Sequence, residues 1–493
     1  MEPRVLRKLF GAQFLRTRVR ALFAVAFCSI AAIEVLSIGQ WLLFPYSSVP
    51  ISRFESSLFS QLAISSPLLL VILIYSYELS MVIRKFFQWG QLRLALPGVF
   101  ELLDRFMIFL RKGGDRFRLP LTSHKLLAIS LISSVLVTLL PYRPDLNPRG
   151  LTVGIDSPSY EDWVNQMLQK SFTQAIQFAF MIPSQGSKPL VLIILYFFAY
   201  LGKLPPQLVV RFFPSLLAPL LVFSTYFFVL SGTQDRHRAA LTAILAAFSF
   251  NITVGVWAGY LANWLALAEA YFLFAIVLSL SRGPSLARYT GLGGISGALL
   301  LTHPQTWALS ATVVSAFCAS RLRTYHRGDS LRLMIAVVGM GAAVDIAKSL
   351  LFSAYGATNA GIEISGVIAS SFQSQLSLFW PSVVEGFTLF YNGLLANAVL
   401  IGLGIPFLIY LKFIHNYQRL LLLWVALPSF LFPFFNSFLQ TRVIYDLPIP
   451  VLAMEGLLLI LTRIGPRKNL SNIVLLAMIL FSANYAIRSM TQL

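Results

Sequence analysis

PSLLAPLLVFSTYFFVLS (214–231), GTQDRHR (232–238) and AALTAILAAFSFNITVGVW (239–257) follow one another without interruption. A bilayer is crossed by roughly 20 apolar residues in a helix. Each long run is close to that length and carries no charge, and the turn between them holds Arg236 and Arg238. The stretch reads as a helical hairpin through a membrane, with its basic turn in the cytoplasm.

The same pattern extends in both directions. Apolar segments recur at 21–45, 58–83, 126–141, 214–231, 239–257, 263–281, 289–302, 305–320, 331–353, 385–411, 419–435, 447–462 and 470–487. The expected fold class is therefore an all-α polytopic transmembrane bundle of about 13 spans. Composition agrees: 57% of the 493 residues are hydrophobic and 12% charged, against about 25% charged in soluble domains. The net charge of +19 is spread over short loops. No basic domain stands free of the membrane, which argues against nucleic acid as a partner. Cys28 and Cys318 both fall in apolar segments and read as buried, inert thiols. The basic stretch 1–20 precedes an apolar run too long for a signal peptide and without a cleavage site. It reads as an uncleaved span with the N-terminus inside.

Orientation follows from the remaining basic loops. Arg84–Lys125, long enough for an amphipathic helix over 95–112, is assigned inside. So are the loops with Arg282/Arg288, Arg321/Arg323/Arg327, Lys412/Arg419 and Arg463/Arg467/Lys468. The alternation holds only if 189–202 does not cross. Its apolar run, 190–201, is too short to cross, is bracketed by Lys188 and Lys203, and is stopped by Pro205-Pro206. It reads as a re-entrant or interfacial helix. The outer face then consists of 45–57, 142–214, 251–263, 303–304, 354–385 and 436–446.

The longest outer loop contains GIDSPSYEDW (154–163). Ser157 suits a helix N-cap with Pro158 after it, or Ser159 caps with Asp162 three residues on. From Tyr160 apolar residues recur at helical spacing to 179, which predicts an amphipathic helix lying at the outer interface. Two roles are open to Asp156, a cap for this helix or a general base or metal ligand. Lys188, Lys203, Arg211 and Arg442 lie on the same face. Arg442 can hold a phosphate or anchor at the interface. His303 is a turn residue, or a donor beside a phosphate. Asn251 and Asn263 could line a polar cavity, and the sequon at Asn251 lies too close to the membrane to be used. Within the spans, Asp345 and Lys348 are spaced to pair on one helix face. No Walker A, GxGxxG, HExxH or CxxC motif occurs.

Several features in order resemble the GT-C superfamily of membrane glycosyltransferases. They are Gly154-x-Asp156 with Tyr160 leading into a helix, Lys188-Pro189 and a short apolar helix, and Arg211-Phe-Phe-Pro214 opening a span. Asn263, Leu301-Thr302-His303-Pro304, and Arg442 followed by Leu447-Pro448-Ile-Pro450 complete the series. The likeness covers about 125 to the end and divides the chain into a two-span extension, 1–124, and a GT-C-like core, 125–493, with its first outer loop at 142–213. The resemblance implies sugar transfer from a polyprenyl- or dolichyl-phosphate-linked donor to a glycan, lipid or protein acceptor at the outer face of the plasma membrane. In that scheme Asp156 is the general base. Arg442, Arg211, His303 and Lys203 serve the donor phosphate, and Tyr160, Glu161, Asp162 and Asn263 line the acceptor cavity. The chain departs from the family in its extension and in lacking an acidic pair, since Ser-Pro-Ser follows Asp156. A divalent cation, if used, would take Asp156 as ligand. The rival readings are a lipid-linked saccharide flippase, which should show internal repeats, and a non-catalytic membrane scaffold.

Overall fold

The computed structural model describes residues 121–181, 188–321, 327–352, 398–409, 415–431, 437–464 and 468–491, together with parts of 28–43. Among the described residues the regular elements are helices and no strand occurs. The expected span at 58–83, the amphipathic helix at 95–112 and the outer loops 45–57 and 354–385 lie outside them, as do parts of the spans at 21–45, 385–411 and 419–435. The chain divides into two units. The larger comprises 122–395, 410–451 and 489–493, and the smaller 1–121, 396–409 and 452–488.

The helices of the larger unit are α1 (Ser123–Leu139), α2 (Ser157–Leu168), α3 (Phe172–Met181), α4 (Pro189–Gly202), α5 (Pro206–Phe212), α6 (Pro214–Thr233), α7 (Arg236–Ala247), α8 (Phe250–Ala258), α9 (Leu261–Leu280), α10 (Leu286–Thr302), α11 (Pro304–Arg321), α12 (Arg327–Met334), α13 (Met340–Phe352), α14 (Asn416–Leu431) and α15 (Ser437–Tyr445). A π-helical turn, Ile335–Gly339, joins α12 to α13. Proline opens four of these helices, at 189, 206, 214 and 304, where its missing N–H costs nothing. Asp235 starts α7 by accepting from the amides of His237 (2.9 Å) and Arg238 (3.1 Å), the expected work of an N-cap. Phe213 keeps helical backbone between α5 and α6, so the two run on as one 28-residue rod.

α6 packs along α9, α7 and α1, and α9 continues the layer to α10 and α11. Where α6, α9 and α14 meet, the aromatic rings interlock. Trp424 lies 4.5 Å from Phe274 and 4.8 Å from Tyr271, and Phe228 reaches both Tyr271 and Trp424. α7 is largely small residues, with Ala239, Ala240, Ala243, Ala246 and Ala247 all buried. Small side chains let helices approach closely where apolar burial alone gives no preference for protein over lipid.

Six helical segments are long and apolar enough to cross a membrane: Ser123–Tyr142, Pro206–Thr233, Arg236–Ala258, Leu261–Leu280, Gly328–Phe352 and Asn472–Thr491. Arg236–Ala258 and Leu261–Leu280 are enclosed by protein, whereas Gly328–Phe352 exposes most of its length. Leu350 is 76% and Leu351 72% exposed, a burden in water that lipid removes. α4 has 14 residues, about 21 Å of helix, shorter than the ~30 Å hydrocarbon core.

Two groups of loops lie together in the larger unit. Asn416 donates to Ser281 (3.3 Å), Arg419 to the Ser320 carbonyl (3.5 Å) and Arg288 to that of Ser279 (3.3 Å), which gathers the basic loops. Segments 154–160, 257–263, 303–306 and 442–446, all assigned to the other face, also meet one another. Asp345 and Lys348 do pair, at 3.2 Å.

Three expectations change. The amphipathic stretch from Tyr160 is two helices, because Gln169–Ser171 breaks it and Gln174 Oε1 accepts from the Ser171 amide to start α3. The span at 239–257 is interrupted at Phe248–Ser249. Cys28 is exposed, while Cys318 is buried as expected.

In the smaller unit, Glu34 is fully buried and accepts from the Asn484 side-chain amide, and Ser37 donates to Asn484 Oδ1 at 3.0 Å. Helices Ala398–Ile409 and Ile449–Ile464 cross at Gly456, where a Cβ would overlap the Leu403 carbonyl oxygen. Gly456→Ala is expected to lower stability by about 1–3 kcal/mol. Gly402→Ala, whose Cβ would meet nothing within 4 Å, should not. Thermal unfolding of the two variants in detergent checks this.

Candidate functional site

The site is built on the turn between α8 and α9. The last carbonyls of a helix need partners from elsewhere, and here the outer loop provides them. Ile155 N–H donates to Trp257 O (3.1 Å) and Asp156 N–H to Ala258 O (3.0 Å). This close approach requires glycine on both sides. Gly259 closes α8 at φ +69°, and a Cβ on it would lie 2.9 Å from Ser157 N and 3.0 Å from Asp156 N. Gly154 has φ +118°, and a Cβ there would lie 2.8 Å from Val256 O.

α2 begins at Ser157 with Asp156 as its N-cap residue, one position earlier than the sequence suggested. Ser157 Oγ donates instead to Val153 O at 2.9 Å. The Asp156 carboxylate makes no capping bond. Half-buried, it makes no hydrogen bond or ion pair among the described residues. One turn into α2, Tyr160 is buried beneath it. Burial holds the Tyr160 phenol protonated, the Asp156 charge pushes the same way, and Arg442 opposes both. The carboxylate and the guanidinium therefore act on one buried group.

Arg442 belongs to α15 and is only 7% exposed. Its guanidinium donates to Asn263 Oδ1 at 2.6 Å and lies 5.1 Å from the Tyr260 ring centroid. α15 is fixed by reciprocal bonds to α8: Asn251 Nδ2 donates to Tyr445 O (2.6 Å) and Tyr445 Oη to Asn251 O (2.7 Å). Asn251 is thus a structural tie, not a cavity wall, and its buried amide is closed to glycosylation in the folded chain.

His303, buried between α10 and α11, is drawn in through Thr306. The Thr306 amide donates to His303 Nδ1 (3.3 Å). Thr306 Oγ1 lies 2.9 Å from that nitrogen and 2.8 Å from Asp446 Oδ2. Burial, with Arg442 and Lys188 nearby, pushes His303 well below its usual pKa and keeps it neutral. Burial pushes Asp446 up to about 7, against the Thr306 hydrogen bond and Arg442. The amide bond fixes Nδ1 as an acceptor, so the neutral imidazole carries its proton on Nε2, while Thr306 Oγ1 donates to Asp446 Oδ2.

Of the residues chosen from sequence, Asp156, Tyr160, Asn263, His303 and Arg442 come together. Arg211 does not join them. It lies 4.5 Å from the Tyr142 ring and donates to Gly150 O at 3.3 Å. Glu161 is near the same tyrosine. Asp162 is exposed and accepts from Gln166 at 2.7 Å. Lys203 is the exposed, left-handed C-cap of α4. Asp446 and Thr306 were missed, although each sits one helical turn beyond a chosen residue. Among the described residues no group of three or more His, Cys, Asp or Glu could hold a metal ion.

No protein-family model matches the chain, and no curated protein matches it significantly.

Because Gly259 combines positive φ with backbone crowding, Gly259→Ala is expected to cost about 1–3 kcal/mol and to loosen the Asp156 loop. Hydrogen exchange should quicken in peptides covering 150–160. Gly291→Ala, whose Cβ meets nothing within 4 Å, should leave that exchange unchanged.

Proposed function

We propose that the chain is an inverting, GT-C-like membrane glycosyltransferase. It moves a sugar from a polyprenyl- or dolichyl-phosphate donor to an acceptor hydroxyl at the extracytoplasmic face of the plasma membrane. The observation that carries this reading is the convergence of Asp156 and Arg442 on Tyr160, with an Asp156 carboxylate that makes no hydrogen bond among the described residues. The first group suits a base and the second suits a phosphate.

In the reaction, Asp156 takes the proton of the acceptor hydroxyl as its oxygen bonds to the anomeric carbon. The bond from that carbon to the phosphate oxygen breaks, and its electron pair leaves with the lipid phosphate. Arg442 stabilises the charge that grows there. His303 assists through Nε2–H, since its Nδ1 accepts from the Thr306 amide. Tyr160 and Asn263 position the reactants, and Arg211, Glu161, Asp162 and Lys203 belong to the rim. The full bundle of about 13 spans, with α2 and α3 at the outer interface and α4 short of crossing, accords with the basic ends of the larger unit meeting one another.

Asp156→Asn is expected to lower transfer by about 10²–10⁴-fold with donor binding intact, because it removes a base and leaves the phosphate contacts. Arg442→Ala should weaken donor binding about tenfold or more and slow turnover as well. Measuring binding and transfer on the two variants decides the matter. Full transfer by Asp156→Asn, or lipid movement between leaflets with no transfer, would favour the flippase.

Cysteines at exposed Ser159 and Gly328 are expected to label from opposite sides of the membrane, Ser159 from outside. Labelling of both from one side overturns the orientation.

A further inference from the structure

Buried polar atoms are almost always hydrogen-bonded, so an unspent one asks for a partner. Two unspent atoms adjoin Arg442. Asn263 is 1% exposed and gives its Oδ1 to Arg442, yet its Nδ2 has no partner among the described residues. Asp446 is 5% exposed and gives Oδ2 to Thr306, yet its Oδ1 has none. The Asn263 amide cannot be turned over, because a guanidinium only donates and must face the oxygen. Nδ2 is therefore a fixed donor. Thr306 Oγ1 donates to Oδ2, so Oδ1 of the ionised Asp446 carboxylate is an unspent acceptor.

One donor and one acceptor beside a guanidinium define what they fit. A phosphate would satisfy Nδ2 but meet the Asp446 carboxyl. A cation would satisfy Oδ1 but meet Arg442 and Lys188, which already act together on His303. A neutral hydroxyl both donates and accepts, and a pair of hydroxyls satisfies both atoms. We infer that Asn263 Nδ2 and Asp446 Oδ1 form the subsite for sugar hydroxyls, adjoining the phosphate group at Arg442. The inference rests on the proposed donor and adds the part of it that these residues hold.

The test uses the full chain in lipid nanodiscs and two probes, a C55 polyprenyl phosphate carrying one hexose and the same lipid without sugar. A hexose of fitting stereochemistry should bind about tenfold more tightly than the bare lipid. Asp446→Ala should erase that margin while still binding the bare lipid. Asp446→Asn, able to keep an oxygen toward the ligand, should retain most of it. A series of singly deoxygenated hexosyl lipids on the unaltered chain needs no variant, and one or two positions should each lose about tenfold. Equal binding of sugared and bare lipid, or uniform tolerance of deoxygenation, overturns the subsite alone. Binding of neither lipid overturns the phosphate reading and the subsite with it.

Discussion

The hydrogen bond from Arg442 to Asn263 is the constraint on which the outer end of the larger unit depends. A guanidinium is costly to bury and must be met by oriented acceptors. Asn263 meets it at 2.6 Å from the first turn of α9, and Tyr260 offers its ring face from the preceding turn. This can happen only if α15 is held against α8, which the two bonds between Asn251 and Tyr445 achieve. It also requires the α8–α9 turn to be rigid. The same turn receives the amides of Ile155 and Asp156. One buried cation is thus tied through a single turn to the loop that carries Asp156.

Much of this was readable from residue types. Proline marks helix starts by local rules, so the beginnings at 189 and 214 could be placed without tertiary knowledge. Pro205-Pro206 read as a stop and Arg236 as part of a turn, though Pro206 and Arg236 each start a helix. The basic turns told which loops share an end, and that grouping made Asp156, His303 and Arg442 candidates together. Local rules failed where a distant partner decides. Nothing near 169–171 announces that α2 stops, and hydrophobic spacing continues past the break. Asn251 looked like a cavity residue because the carbonyl it holds lies on α15.

Asp446 illustrates a different blindness. Beside Arg442 in the sequence it resembles an ordinary helix-end carboxylate. Its significance comes from burial and from Thr306, a contact 140 positions away in sequence. Arg211 shows the converse. Its charge and its place in the outer loop nominated it for the phosphate, but a neighbouring aromatic ring, Tyr142, holds the guanidinium elsewhere. Charge and sidedness sort residues by depth in the membrane. They do not sort them around the bundle axis, which is where the two arginines part.

The π-helical turn at Ile335–Gly339 sets azimuth for the segment that follows it. Ser296 Oγ bonds the Val337 carbonyl at 2.6 Å and receives Trp307 Nε1–H at 3.0 Å, so the widened turn is fastened from α10 and α11. One additional residue in a helix advances its phase by about 100°. α13 is rotated by that amount relative to an unbroken α-helix. The rotation sets which face of α13 is buried, the one with Lys348, which pairs with Asp345 on the same helix, while Leu350 and Leu351 face out. Deleting a single residue here would leave every side chain present and spin α13 about its own axis, carrying the buried ammonium toward the lipid. The turn is a phase-setting device, and the sorting of polar and apolar side chains along α13 follows from one inserted position.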